Sequence, residues 1–230
     1  MSLIEILPYV LLGGVLGLDV VSFPQAMISR PIVAATVAGA FGGNALHGLM
    51  LGAIVELFAL EMLAVGASRY PEWGSASVVG GAVFAGSAVS VPLAPSLAAA
   101  IIATLVVAWI GGWSMYGLRR LNGVLARRAL PDLERGDSNA VARLQLVGLT
   151  IDFVRGGLLA GAGIAILAPL ASIVARGGAV PDTVYLVIIW GLALAAAVSA
   201  LWVIIRGSSG AAWWLAAGLA AGVGLVVVSQ

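Results

Sequence analysis

The sequence predicts an all-α polytopic membrane protein with about seven to nine transmembrane or re-entrant helices. Three observations carry this. Of 230 residues, 62% are hydrophobic and 9% charged, whereas a soluble domain carries about 25% charged residues. Long charge-free runs recur at lengths that suit a helix crossing a hydrocarbon layer of about 30 Å. The eleven basic residues are all Arg, and six of them fall within residues 119–143, the one hydrophilic segment. The lipid bilayer is therefore the main partner. The net charge of +1 leaves no basic excess for nucleic acid. With no Cys and one His, thiolate or His-based metal sites and a Cys nucleophile are excluded. The N-terminus, MSLIEILPYV, lacks the basic region and cleavage site of a signal peptide, so it is expected to be kept.

The chain divides into an N-terminal membrane region, 1–118, a basic loop, 119–143, and a C-terminal membrane region, 144–230. Leu3 to Val21 is the first apolar run, with Pro8 near its start and Asp19 at its end. Pro24 and Pro31 restrict the residues before them, so residues 22–31 read as a break, with Pro31 in the first turn of a new helix. Ile32 to Val55 is charge-free and rich in glycine, and Gly42-Gly43-Asn44 is a turn signal at membrane depth. Two short helices in a re-entrant hairpin are expected there, covered by protein or a watery cavity. Helix continues from Glu56 to Ser68, ahead of the polar break Arg69-Tyr70-Pro71-Glu72.

Trp73 to Leu118 carries no charge and is long enough for two spans, with the turn at Pro92 and Pro95. Small residues dominate the first of these, which suits close helix packing. Trp109 and Trp113 stand where an interfacial belt is expected, and the tryptophans in general read as interface anchors. By the positive-inside rule, residues 119–143 are cytoplasmic. Leu118 to Leu130 is expected to lie along the membrane surface, with turns at Pro131-Asp132 and Gly136-Asp137-Ser138. Leu144 to Val174, Thr183 to Ile205 and Ala211 to Val228 are the remaining apolar segments, and counting spans from the basic loop puts the C-terminus outside.

Residues 16–67 form the candidate substrate segment. It is greasy, yet it holds Asp19, Gln25, Arg30, Asn44, His47, Glu56 and Glu61. Each ionised group at mid-depth costs roughly 2.5–3.5 kcal/mol on insertion scales, so such residues are functional candidates by default. A carboxylate offers two acceptor oxygens to vicinal hydroxyls, and a Gln amide both donates and accepts, so these groups suit a polyol. Glu56 and Glu61 lie about 140° apart around an ideal helix. One is expected to face a polar cavity, the other a partner helix, the Arg30 region or a membrane edge. Asp19 and Arg30 flank the break and either pair with each other or contact substrate. Gln25 is either a substrate contact or a loop cap. Asp152 and Arg155, three apart, are expected to neutralise each other on one helical face, and His47 to be a packed residue. There is no nucleophile–base pair, phosphate-cradling loop or metal spacing, so no catalytic centre, metal or cofactor is expected.

The ordered polar set resembles the IIC membrane subunit of the mannose/fructose/sorbose family of the bacterial sugar phosphotransferase system. The residues that carry the resemblance are Gly17 with Asp19, Gln25, Arg30-Pro31 leading into PIVAATVAG, Gly42-Gly43, Gly52 with Glu56, and Gly66-Ala67. The chain departs from familiar members at Met27-Ile28-Ser29, at Met62-Leu63-Ala64 and at Glu61, which stands in place of a glycine. These changes alter the sugar-contacting set. The resemblance implies a multi-pass protein of the bacterial inner membrane that forms the path for a hexose or related sugar with a IID subunit, in an oligomer. A cytoplasmic IIAB phosphocarrier would phosphorylate the sugar. The substrate-binding residues it implies are Glu56, Gln25, Glu61, Asp19, Gly66 and Arg30. A permease coupled to ions, or facilitative, with Glu56, Glu61 or Asp152 as a proton relay, is the alternative from another class.

Overall fold

A computed structural model describes residues 2–60, 70–87, 92–176 and 180–205, with scattered positions between 210 and 221. The described residues form seven helices and no strands: α1 Leu3–Asp19, α2 Pro31–Phe41, α3 Ala45–Ala59, α4 Trp73–Ser87, α5 Leu93–Glu134, α6 Ser138–Arg176 and α7 Asp182–Ile205. The all-α membrane architecture expected from composition is the one observed. Three helices, α5, α6 and α7, are long and apolar enough to cross a bilayer.

Helix α1 starts with a capping box: Ser2 Oγ accepts from the Glu5 amide, and the Glu5 carboxylate accepts from the Ser2 amide at 2.8 Å. It runs antiparallel to α6, with Gly13 facing Ala160 and Gly17 facing Gly156. Helix α4 is the centre of the bundle. Residues 74–85 are buried all round, because its small side chains let α1, α2, α5 and α6 approach closely. Gly80, for example, abuts Thr104 of α5 with no room for a side chain.

The expected hairpin is present. Helix α2 has 11 residues and α3 has 15, about 16 and 22 Å, too short for the hydrocarbon layer. They run antiparallel and join at Gly42-Gly43-Asn44. Gly43 takes φ +81°, a conformation that costs other residues energy. Asn44 then caps α3 by accepting from the His47 amide at 3.1 Å. Gly48 touches the Ala35 backbone directly, so the two helices meet with no side chain between them. His47 is a packed residue, stacked on Phe84 with ring centroids 4.7 Å apart.

The segment 118–130 differs from expectation. It is no separate surface helix but the continuation of α5, which has 42 residues and is about 63 Å long. Arg, Leu and Ala are strong helix formers, and no proline interrupts the ladder before Pro131, so nothing bends the chain toward the membrane plane. Pro131 lies inside the last turn, and the chain reverses at Gly136, φ +76°. Asp137 starts α6 by accepting from the Asn139 amide at 2.9 Å. The α5–α6 hairpin thus carries the basic segment away from the bundle, and α5 itself runs from the first sequence region into the second.

Candidate functional site

A polar layer lies at the end of the bundle nearest the basic segment. Val20 and Val21, just past α1, pack with Tyr70, Met115, Leu118 and Ile151, and the Arg119 guanidinium sits over the Tyr70 ring, 5.0 Å from its centroid. The N-terminus of α1 is therefore at the opposite end.

Asp19 builds the break after α1. Its carboxylate accepts from the Ala26 amide at 2.6 Å and the Ser29 amide at 2.8 Å, and it is 2% exposed. Gln25 and Met27 take positive φ within the resulting loop, and the Gln25 amide donates to the Val21 carbonyl at 2.7 Å. The loop ends at Arg30, with Pro31 starting α2. Arg30 does not pair with Asp19. It reaches across the hairpin to Glu56, its Nε donating to Glu56 Oε1 at 2.6 Å, while Oε2 accepts from the Ile32 amide at 3.1 Å. One carboxylate thus holds both the guanidinium and a free amide at the N-terminus of α2, where negative charge is favoured.

Between this loop and the 70–73 segment lies a cavity of about 310 Å³. Asp19, Gln25, Ser29, Arg30, Tyr70 and Trp73 supply its polar and aromatic wall. Donors, acceptors and ring faces together suit a small neutral solute rich in hydroxyls. Three residues read from sequence, Asp19, Gln25 and Arg30, are brought together here. Glu56 stands one layer behind, joined to the cavity through Arg30. Glu61 and Gly66 lie outside the described residues.

The expected pair of Asp152 and Arg155 is formed. Arg155 Nε donates to Asp152 Oδ1 at 2.9 Å, and Arg155 Nη1 donates to Ser114 Oγ at 3.0 Å. Ser22 Oγ donates to Asp152 Oδ2, so the pair ties the break after α1 to α5 and α6.

The sequence did not single out Glu72, Tyr70, Ser29 or Trp73 as site residues. Trp73 lines the cavity. Glu72 is fully buried, with its amide donating to the Ala108 carbonyl at 2.9 Å and Oε1 accepting from the Ser75 amide at 3.1 Å. Its Oε2 has no partner among the described residues. The signal that could have located this segment is Gly111-Gly112 in α5: both glycines lie against residues 70–72 where any side chain would collide. Among the described residues, no three acidic or histidine side chains gather into a metal-holding set.

Apolar helices long enough to span, two short helices packed through glycine contacts and a polar cavity at one end of the bundle define a multi-pass membrane protein with room for a small polar solute. The chain belongs to the family described as PTS system sorbose-specific IIC component, whose model matches residues 3–169. It is a membrane permease subunit of a sugar phosphotransferase system. No curated protein sequence matches it. A solved structure described as "Structure of membrane protein" shares the fold, with a TM-score of 0.73 at 18% identity over 100% of this chain and 96% of that one.

Proposed function

We propose that the chain forms the sugar path of a phosphoenolpyruvate-dependent phosphotransferase complex, together with a IID membrane subunit, in an oligomer of the bacterial inner membrane. The cavity between the 22–30 loop and residues 70–73 holds the sugar, a hexose or relative. Its volume of about 310 Å³ is at the lower end of small-molecule sites, roughly 300–1,000 Å³, as a single monosaccharide requires. Gln25, Ser29 and Arg30 contact the hydroxyls. Asp19 shapes the loop and has lone pairs left to accept a hydroxyl. Glu56 orients Arg30, and Glu61 and Gly66 complete the substrate set. Residues 119–143 are cytoplasmic, and the cavity lies at that end of the bundle, the side where a IIAB phosphocarrier would deliver phosphate.

The observation that carries this reading is the polar cavity walled by the three residues singled out in sequence. The test is sugar uptake by Glu56→Gln, which keeps shape and removes charge. Uptake is expected to be lost while membrane insertion is kept; wild-type uptake in the variant would overturn the assignment. The alternative, a permease coupled to ions or facilitative, gains support from Glu72, a buried acid with an open oxygen. It is weakened by the pairing of both Glu56 and Asp152 with arginines, which makes either a poor proton relay. Uptake that persists without the phosphate donor would favour it.

A further inference from the structure

The α5–α6 hairpin projects beyond the bundle and carries a surface that the sugar path does not use. Arg120, Arg127, Arg128 and the capping Arg135 fall within an arc of about 100° around α5, and all four are exposed. The arc flanks the face of α5 that packs on α6, with Arg128 at the seam between the two helices. Arg135 pairs with Asp132, and Arg143 with Asp137 at 3.3 Å. Arg127 and Arg128 form no ion pair among the described residues. Residues 119–143 hold six Arg against Asp132, Glu134 and Asp137, a net charge of +3.

Beside this stripe runs a groove of about 280 Å³ between the two helices. Its floor is Leu125, Ala129, Leu144 and Val147, and Arg128 and Arg143 stand at its rim with Asp132. Leu130 and Val141, farther out on the same hairpin, are 50% and 55% exposed. Exposed apolar side chains beside arginines offer a protein partner both burial and charge.

Reach decides what the contact is. Arg119 and Arg120 end the apolar part of α5. Arg127 and Arg128 lie eight residues farther along, about 12 Å, while the headgroup layer is only about 5–8 Å thick per leaflet. Lipid phosphates serve the first pair of arginines but not the outer ones. We propose that the outer hairpin is the docking surface for an acidic face of a cytoplasmic phosphocarrier protein, with an apolar residue of that face seated in the groove. This deepens the phosphotransferase reading and rests on it.

The test is titration of the full chain, in nanodiscs of zwitterionic lipid, with the purified phosphocarrier of the same system at low and high salt. For the double variant Arg127→Glu/Arg128→Glu, affinity is expected to fall about tenfold or more and the salt dependence to flatten, as removal of steering charges requires. Arg176→Gln, at the opposite end of α6, serves as control and is expected to bind like wild type. Unchanged affinity in the double variant overturns the proposed surface, while uptake that still needs the phosphate donor leaves the phosphotransferase reading standing. Uptake independent of that donor fails the reading itself. A double variant that loses only its thermal stabilisation by phosphatidylglycerol-rich nanodiscs would assign the stripe to lipid and overturn the proposal.

Discussion

Two ion pairs lie in the same polar layer, and they are built differently. Asp152 and Arg155 are three residues apart on one helix, with side chains 1% and 9% exposed. Arg30 and Glu56 are 26 residues apart, on the two ends of the hairpin, with side chains 31% and 18% exposed. The first pair comes with helix formation, and its further bonds to Ser22 and Ser114 make it a fastening between α1, α5 and α6. The second exists only when α2 and α3 are already side by side, and it borders the cavity. Burial makes the first pair a matter of folding. Partial exposure and position beside the cavity make the second, under the proposed function, the pair that bears on binding.

The comparison breaks most severely at Asp152→Ala. Removing the acid strands a buried guanidinium, which typically costs about 3–5 kcal/mol, so the yield of detergent-stable protein and its melting temperature are expected to collapse. Next is Gly48→Val. Branched carbons would strike the Ala35 carbonyl, and overpacking of this kind costs about 1–3 kcal/mol. The hairpin is expected to open, with reduced melting temperature and lost uptake. The charge swap Arg30→Glu/Glu56→Arg sharpens the contrast: the pair is re-formed, so stability is expected within about 1 kcal/mol of wild type. Uptake is nevertheless expected to stay lost, because the cavity wall and the α2 amide now face the wrong charges. Recovered uptake in the swap would show the pair to be a mere fastening. The smallest effect is expected for Asp132→Asn, whose bond to Arg135 is solvent-exposed. Its melting curve should shift by no more than about 0.5 kcal/mol equivalent, and a larger change would show that the outer hairpin is stiffened by this bond.

Much of the hairpin was legible because its signals are local. Pro31 at a helix start and Gly42-Gly43-Asn44 at a turn each act within four residues, whereas the capping of α3 by Asn44 came from the structure. Asp152 with Arg155 was legible for the same reason. Glu56 was found as an acid in a greasy stretch, but its partner was left open, since spacing on one helix says nothing about a second. Asp19 and Arg30 were read as a possible pair from their positions around the break; the backbone amides of Ala26 and Ser29 took Asp19 instead. Glu72 was missed because it stands in a polar break, where exposure is the ordinary expectation, and only the crossing of residues 70–72 over Gly111-Gly112 buries it. The continuation of α5 past Leu118 was also missed, as amphipathic pattern reports which face is greasy and not whether the axis bends.

Composition and local chemistry alone settled the solvent, the all-α class, the glycine turn and the set of polar residues within an apolar stretch. These follow from hydrophobicity and from hydrogen bonds that close within a turn or two. The tertiary structure decided which polar group meets which, where the cavity lies and how far the basic hairpin reaches. Those depend on contacts between residues tens to more than a hundred positions apart, and no local preference encodes such distances.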